Sequence, residues 1–150
     1  MKIVVASDHG GYALKLKVAA HLKERGIEVE DLGTHSEESV DYPVYGKACG
    51  EAVVSGRGDL GMVFCGTGIG ISIAANKVHG VRCALVTSVE TAHLAKEHNN
   101  ANVLAMGGRV IDEAMAVKLA DIFLHTPFDG GRHARRVGQI TALENGEDLK

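Results

Sequence analysis

Short apolar runs alternate along the chain with longer segments whose apolar residues recur at helical spacing. The short runs predict five strands, at residues 2–7, 27–32, 60–64, 82–86 and 103–106. The longer segments predict helices after each strand, at about residues 12–25, 44–55, 71–77, 87–98, 111–124 and from 130 onward. Thr87 and Glu90 have the spacing of a capping box that begins the fourth helix.

The alternation of strands and helices predicts the sheet. Strands joined by right-handed helical crossovers pair in parallel, with helices on both faces. No linker, repeat or low-complexity segment interrupts residues 1–150, so we expect a single domain. Ligands of such folds bind at the carboxyl ends of the strands, and polar or glycine residues follow four of the five strands there.

The central segment, residues 61–77, predicts a strand, a glycine loop and a helix. Gly66, Gly68 and Gly70 let the backbone turn sharply, and the amides of the loop and of the following helix start favour an anion. Cys65 precedes the first glycine. The spacing fits neither a dinucleotide fingerprint nor a Walker loop. A structural turn beside a buried cysteine is the alternative interpretation.

Polar residues elsewhere are further candidates, each with an alternative role. Asp8 and His9 follow the first strand and suit a hydroxylated ligand, although an aspartate there also caps a helix. His98 and Asn99 end a helix, where a histidine also compensates the helix dipole. An arginine pair four residues apart shares a helix face and suits a phosphate, although a solvated basic patch has the same pattern. That pair is Arg132 and Arg136.

Composition narrows the function classes. The net charge of −3 and the pI near 6.2 argue against nucleic acid or an anionic membrane as partner, and favour a small molecule. Three cysteines without a CxxC pair indicate reduced thiols in the cytoplasm, and we interpret Cys49 and Cys83 as core residues. The remaining histidines lack metal-ligand spacing, so no metal is expected.

Six motifs together give the chain a resemblance to a known family along nearly its whole length. They are Ser7-Asp8-His9-Gly10-Gly11, Asp41-Tyr42-Pro43, the segment from Cys65 to Lys77, His98-Asn99, the segment from Asn102 to Arg109, and Gly130-Gly-Arg-His133 with Arg136. The sequence resembles the type B ribose-5-phosphate isomerases, whose family includes allose-6-phosphate and galactose-6-phosphate isomerases. Some relatives have a glutamate base just after the third glycine, where this chain has Ile71.

The resemblance implies a Rossmann-like three-layer α/β/α sandwich with a five-stranded parallel sheet and a C-terminal helical tail. It implies an isomerase without metal or cofactor, interconverting ribose 5-phosphate and ribulose 5-phosphate through an enediolate in the pentose phosphate pathway. The enzyme would be a homodimer or a tetramer. These are expectations from the resemblance. The length of the predicted helix 111–124, about 21 Å, separately predicts that the tail from about residue 126 crosses to the partner, so that Arg132 and Arg136 complete a site shared between subunits.

The resemblance also assigns roles to residues. Cys65 would be the base, and His98, helped by Thr67, would open the sugar ring. The remaining candidates would bind substrate; they are Asp8, His9, Gly66, Thr67, Gly68, Ile69, Gly70, Asn99, Arg109, Arg132 and Arg136, with Tyr42 as a further candidate. Two alternatives stay open, a phosphohexose isomerase acting on allose 6-phosphate and a non-catalytic module that binds phosphate or a nucleotide.

Overall fold

A computed structural model describes residues 1–149 as a three-layer α/β/α sandwich around one parallel sheet. The strands are β1 (Lys2–Ser7), β2 (Glu28–Asp31), β3 (Leu60–Cys65), β4 (Cys83–Leu85) and β5 (Val103–Gly107). Their order across the sheet is β2-β1-β3-β5-β4, and every neighbouring pair is parallel. The predicted fold class is therefore confirmed.

Six helices complete the fold: α1 (Tyr12–Glu24), α2 (Tyr42–Val54), α3 (Ile69–Asn76), α4 (Val89–Glu97), α5 (Glu113–His125) and α6 (Arg132–Glu144). A short 3₁₀ turn, His9–Gly11, precedes α1. Among residues 1–149, no helix combines the length and apolar character that crossing a membrane requires.

The predicted starts of five helices differ from the structure by about two residues: α2 and α3 begin earlier than predicted, and α4, α5 and α6 begin later. The capping box of α4 is formed by Ser88 and Thr91, because Ser88 accepts from the Thr91 amide and Thr91 bonds back to the Ser88 amide. Helix α5 begins at Glu113 after the cap residue Asp112, so Ile111 lies before the helix although it still packs on the core. A threonine in the third helical position replaced the expected glutamate in the same reciprocal geometry.

The sheet separates two hydrophobic cores because successive strand residues face opposite sides. In β1, Ile3 and Val5 join the core beneath α1, α4 and α5, whereas Val4 and Ala6 join the core beneath α2 and α3. All four side chains are fully buried. Burial of each larger aliphatic side chain contributes about 1.5–3 kcal/mol, so the two cores fix the sheet and its helices as one body.

A lysine is buried beneath the loop that follows β2. Lys15 is 0 % exposed, and its ammonium donates to Asp31 Oδ1 at 2.8 Å and to the Thr34 carbonyl. The same carboxylate oxygen accepts from the Gly33 amide at 2.9 Å. Because a buried charge is stable only when paired, these bonds hold the start of the loop against α1.

All strands of a parallel sheet end on one side, here called the carboxyl edge, and begin on the opposite amino edge. Cys65 pairs with Gly107 at the carboxyl edge. Helix α4 starts near that edge, and its nine residues run back about 13 Å. The Asn102 amide, just before β5, donates to the Arg82 carbonyl, just before β4, at 3.0 Å. This bond marks the amino edge.

Candidate active site

Cys65 ends β3 at the start of the glycine loop. Its side chain is buried, with 4 % of the residue exposed, and its Sγ accepts a hydrogen bond from the Gly68 amide at 3.1 Å. Gly68 can aim that amide because its φ is +79°, a backbone conformation that glycine adopts without strain. The loop thus points a backbone N–H directly at the sulfur.

Close backbone contacts fix the loop in place. A methyl group on Gly107 would lie 2.5 Å from the Thr67 carbonyl carbon, so only glycine fits beneath the loop. The Gly108 amide donates to the Cys65 carbonyl at 2.9 Å, and the Arg109 amide donates to the Gly66 carbonyl at 2.8 Å. The end of β5 thus holds the thiol-bearing loop through main-chain bonds.

Two amides of the predicted anion site are already engaged. The Gly68 amide bonds Cys65 Sγ, and the Ile69 amide donates to Thr67 Oγ1 at 3.1 Å. The amides of Gly70 and Ile71 lie in the first turn of α3, where no helical carbonyl precedes them. These two donors and the dipole of α3 remain available to a developing oxyanion.

A cleft of about 430 Å³ opens over Cys65 at the carboxyl edge. It joins the thiol to a carboxylate, a guanidinium and an aromatic ring; its lining is Asp8, Tyr42, Cys65, Gly66, Thr67, Ile69, Gly70, Ile73 and Arg109. A larger cleft of about 510 Å³ lies between α2 and α3, where Lys47 pairs with Glu51. No thiol lines that cleft, so the smaller cleft is the candidate active site.

Asp8 lines the cleft, His9 follows it in the chain, and hydrogen bonds fix the roles of some of their atoms. Asp8 Oδ1 accepts from the Gly11 amide at 3.1 Å, so the alternative capping role is present, and Oδ2 has no such bond among the described residues. His9 Nδ1 accepts from the Val40 amide at 3.2 Å. An acceptor Nδ1 places the proton of a neutral imidazole on Nε2, which can therefore donate to a ligand.

The other two thiols are unsuited to act as bases. Burial raises the pKa of Cys49 to about 12 and also raises the pKa of Cys83. Cys49 packs in the core beneath α2 and α3, and Cys83 lies in β4 against the same core. Neither thiol receives the loop amide that Cys65 has, and the interpretation of both as core residues is confirmed.

His98 and Asn99 lie at the amino edge, away from the thiol of their own chain. His98 is the last cap residue of α4, and the Asn99 carbonyl accepts from Arg82 Nε at 3.1 Å. From Asn102, beside Arg82, to Gly107, beside Cys65, is five strand residues, or about 16 Å. The fold therefore places the proposed ring-opening histidine at the opposite end of the strands from Cys65.

The start of α6 meets His98 at the amino edge. The rings of His98 and His133 stack with centroids 4.1 Å apart and planes 9° apart. Arg132 and Arg136 are exposed on the same helix, and neither pairs with a carboxylate in the part of the chain that the structure describes. Burial, followed by His98 and the two arginines, lowers the pKa of His133. A cationic surface for an anion is thus assembled beside His98.

The structure divides the predicted site residues into two groups. One chain brings together, at the carboxyl edge, Asp8, His9, Tyr42, Cys65, Gly66, Thr67, Gly68, Ile69, Gly70 and Arg109. Its amino edge carries His98, Asn99, Arg132 and Arg136. Sequence reasoning missed Arg82 and the lining residue Ile73; the lone arginine at the start of an apolar strand was the available signal for Arg82. Across residues 1–149, no cluster of histidine, cysteine and acidic side chains could hold a metal ion.

Comparison with known proteins gives consistent matches along nearly the whole length of the chain. A sequence profile of the family described as Ribose/Galactose Isomerase matches residues 3–140. Ribose-5-phosphate isomerase B of Escherichia coli is 47 % identical over 143 residues, which cover 95 % of this chain and 96 % of the E. coli protein.

Solved structures agree with the sequence matches. Ribose-5-phosphate isomerase B of Clostridium thermocellum superposes with a TM-score of 0.96 at 54 % identity, covering 97 % of this chain and 99 % of the other. The enzyme of Mycoplasma genitalium, solved with bound ribulose 5-phosphate, superposes with a TM-score of 0.91 at 42 % identity, covering 96 % of each chain.

Proposed function

The chain belongs to the ribose/galactose isomerase family, and we propose that its Cys65 is the base that interconverts D-ribose 5-phosphate and D-ribulose 5-phosphate. It is an aldose–ketose isomerase. The observation that carries the residue assignment is the cleft in which a buried thiol, unpaired helix-start amides and Arg109 meet. We further propose that it works in the cytoplasm, in the pentose phosphate pathway.

The chemistry assigned to Cys65 is a proton transfer between adjacent carbons. The thiolate takes the proton from C2 of the open-chain aldose, and the C–H electron pair forms the C1–C2 double bond while the charge moves to the carbonyl oxygen. The amides of Gly70 and Ile71 stabilise that enediolate oxygen. The proton on sulfur then returns to C1, while the proton of the C2 hydroxyl passes to the C1 oxygen, directly or through solvent, which yields the ketose.

Groups around the cleft hold the rest of the substrate. Asp8 Oδ2 accepts from a sugar hydroxyl, and His9 Nε2–H and the Arg109 guanidinium donate to oxygens further along the chain. Tyr42, whose ring lies against Gly70, forms a side wall. Contacts remote from C1 and C2 raise the rate because they fix the reacting carbons against the sulfur.

The remaining assigned groups reach the cleft from a second copy of the chain. His98, Asn99, Arg132 and Arg136 lie at the amino edge, about 16 Å of strand away from Cys65, so their own chain cannot bring them to the substrate. In a two-fold dimer each chain supplies its amino edge to the partner's cleft. His98 opens the sugar ring there with Thr67, and the two arginines bind the phosphate.

Exposed apolar residues support a dimer of this kind. Ile69 and Ile73 line the cleft yet are 52 % and 55 % exposed. On α6, Ile140 and Leu143 are exposed, and only His133 of that helix is buried. No residue of α6 belongs to either core. An apolar helix face and an apolar cleft rim in one small protein favour mutual burial between two copies.

Mixed dimers test the shared site directly. Cys65→Ala and Arg136→Ala are each expected to be inactive alone. After dissociation and reassociation of an equal mixture, half of the dimers contain one chain of each kind, and one of their two sites has both Cys65 and Arg136. Turnover of ribose 5-phosphate should return to about a quarter of the wild-type value, because half of the dimers each regain one of two sites.

A matched mixture serves as the control. His98→Asn and Arg136→Ala alter the same half of the site, so their mixed dimers contain no intact site and should stay inactive. If Cys65→Ala with Arg136→Ala also stays inactive although mass spectrometry detects mixed dimers, the arginine acts within its own chain. Turnover measured with EDTA present, on ribose 5-phosphate and on allose 6-phosphate, tests metal independence and the pentose preference.

A further inference from the structure

Arg82 is the first residue before β4, and its side chain faces the end of α4. Its Nε donates to the Asn99 carbonyl at 3.1 Å and to the Asn100 carbonyl at 3.3 Å, and its Nη2 donates to the Asn100 carbonyl at 2.9 Å. The last carbonyls of a helix lack partners within the helix. One guanidinium therefore satisfies two consecutive carbonyls immediately after His98.

The backbone that Arg82 holds is unusual. Asn100 has a φ of +44°, and it is the one non-glycine residue in residues 1–149 with a positive φ. Its side chain accepts from Lys96 Nζ at 3.0 Å. Asparagine tolerates this conformation better than most residues, but the turn still needs contacts that stabilise it. The guanidinium and the ammonium supply those contacts and fix the direction of the chain after α4.

The main chain of Arg82 is tied to the same segment. Its amide donates to Asn102 Oδ1 at 2.7 Å, and its carbonyl accepts from the Asn102 amide at 3.0 Å. Asn102 Nδ2 donates to the Gly80 carbonyl at 2.9 Å. The start of β4 and residues 99–102 thus form one unit, so a displacement of Arg82 moves the residues that follow His98.

The charge of Arg82 is directed at the helix end. No carboxylate lies within 4.0 Å of it in the described part of the chain. Glu144 acts on it only at longer range, and partial burial lowers the pKa of Arg82 from its high ordinary value. A cation at a helix carboxyl end is stabilising, and the planar guanidinium can bond two carbonyls at once, which an ammonium cannot do in the same geometry.

We propose that Arg82 is a positioning residue, which sets the placement of His98 and Asn99 in the active site by holding the carboxyl end of α4. This inference rests on the proposed function of His98 in ring opening. The proposed role gives Arg82 no contact with the reacting atoms or with the phosphate. A displacement of about 1 Å in a catalytic group can lower a rate by about 100-fold, so the loss of Arg82 should be visible in turnover.

A selective rate loss distinguishes positioning from general destabilisation. Ribulose 5-phosphate cannot close to a furanose, because the hydroxyl that would close the ring carries the phosphate, so its proton exchange at C1 needs no ring opening. Arg82→Met should lower turnover of ribose 5-phosphate by about 10- to 100-fold. Exchange of the C1 proton of ribulose 5-phosphate, followed by NMR in deuterated buffer, should stay within about threefold of wild type.

Arg82→Lys protects the test against misfolding, because it keeps the charge and loses only the paired bonds. It should show the same selective loss at a smaller size. Arg57→Met is the matched control, since Arg57 pairs with Glu30 at the opposite side of the sheet and should leave both rates unchanged. Equal loss of turnover and exchange in folded Arg82→Lys, or no loss in either, would overturn the inference.

Combination with His98→Asn separates this inference from the proposed function. If Arg82 acts through His98, Arg82→Lys should add less than about twofold to the loss in His98→Asn. Full additivity of the two losses overturns the inference while His98 keeps its role. If His98→Asn alone leaves ribose 5-phosphate turnover intact, the proposed role of His98 is wrong and the role of Arg82 falls with it.

Discussion

The carboxyl edge around Cys65 and the amino edge around His98 are built by different means. At the carboxyl edge, main-chain bonds from Gly108 and Arg109 hold the loop. Gly107 lies directly beneath the loop because it has no side chain. At the amino edge, side chains hold the structure together: the ring of His98 stacks on His133, and Arg82 bonds the backbone after α4. One edge is fixed by the sheet itself, and the other depends on helix ends.

The difference corresponds to the two chemical tasks that we propose. Proton transfer between carbons needs a base and amide donors held at fixed distances, and a close-packed backbone supplies that accuracy. Ring opening and phosphate binding involve groups that, in the dimer we propose, come from a second copy, where long side chains can adapt as the two chains meet. A protein can thus keep one half of a site rigid within each chain and leave the other half to assembly.

The largest expected effect falls on the rigid half. Cys65→Ala should lower ribose 5-phosphate turnover by about 10³-fold or more, because the proposed base is lost and Asp8, the carboxylate in the cleft, is assigned to a sugar hydroxyl. Affinity for the substrate, measured by calorimetry, should change less than about tenfold, because the amides and arginines remain.

Cys83→Ala is the matched control for that variant, since its thiol is kept protonated by burial and should be dispensable for turnover. Strong loss of affinity in Cys65→Ala, with turnover retained, would instead identify Cys65 as a binding residue.

His98→Asn should have the next largest effect, and a selective one. Turnover of the cyclic aldose phosphate should fall by about 100-fold, because ring opening loses its acid and base, while C1 proton exchange of ribulose 5-phosphate continues. NMR in deuterated buffer measures both. His79→Asn, at an exposed position outside both groups of site residues, is the control. Equal loss of both rates would show that His98 takes part in the proton transfer itself.

Replacing one glycine at each edge by alanine, and measuring the stability of both variants, compares how tightly the two edges are packed. Gly107→Ala should destabilise the protein by about 1–3 kcal/mol and lower turnover, because the new methyl group collides with the Thr67 backbone. Gly138→Ala in α6 meets nothing within 4 Å and should stabilise that helix by up to about 1 kcal/mol. Urea unfolding and turnover of both variants check this. Equal damage from the two substitutions would show that the assembled amino edge is also close-packed.

The smallest effect concerns pH and His133. Its pKa in the folded chain lies below the unfolded value, mainly through burial and then through His98, Arg132 and Arg136, with Asp129 acting in the opposite direction. The unfolded chain therefore binds more protons as the pH falls below about 6.5, and stability declines there. His133→Phe keeps a stacked ring and should reduce the decline. Thermal unfolding at pH 5.5 and 7.5, with His35→Asn as control, measures it.

The sequence predicted the fold well because the same alternation of apolar strands and amphipathic helices is repeated along the chain. Five strands and the helices after them follow from apolar spacing, and β1 matches its predicted bounds. The start of α5 was missed because Ile111 continues the apolar stripe while Asp112 caps the helix one residue later. Local spacing reports which face is buried and does not fix the first helical residue.

The candidate site was predictable residue by residue, and the sequence also predicted that Asp8, Cys65 and Arg109 lie together at the carboxyl ends of the strands. It did not predict that His98 lies at the amino edge. The loop from Cys65 to Gly70 carries its function in consecutive residues, so spacing alone indicated an anion site beside a thiol. Arg82 gave no comparable signal, because its bonds to Asn99 and Asn100 depend on α4 returning to the start of β4. Contacts between distant segments follow from topology, which a single sequence specifies only indirectly.

The buried ammonium of Lys15 gives the protein an internal reporter of its own opening. Reagents that acylate amines need contact with an unprotonated nitrogen, and Lys15 is 0 % exposed while Lys17, two residues later on α1, is exposed. Lys17 should be acylated at the rate of a free amine, and Lys15 only when α1 separates from the sheet. The ratio of the two labels, read by peptide mass spectrometry, therefore records how often this part of the molecule unfolds.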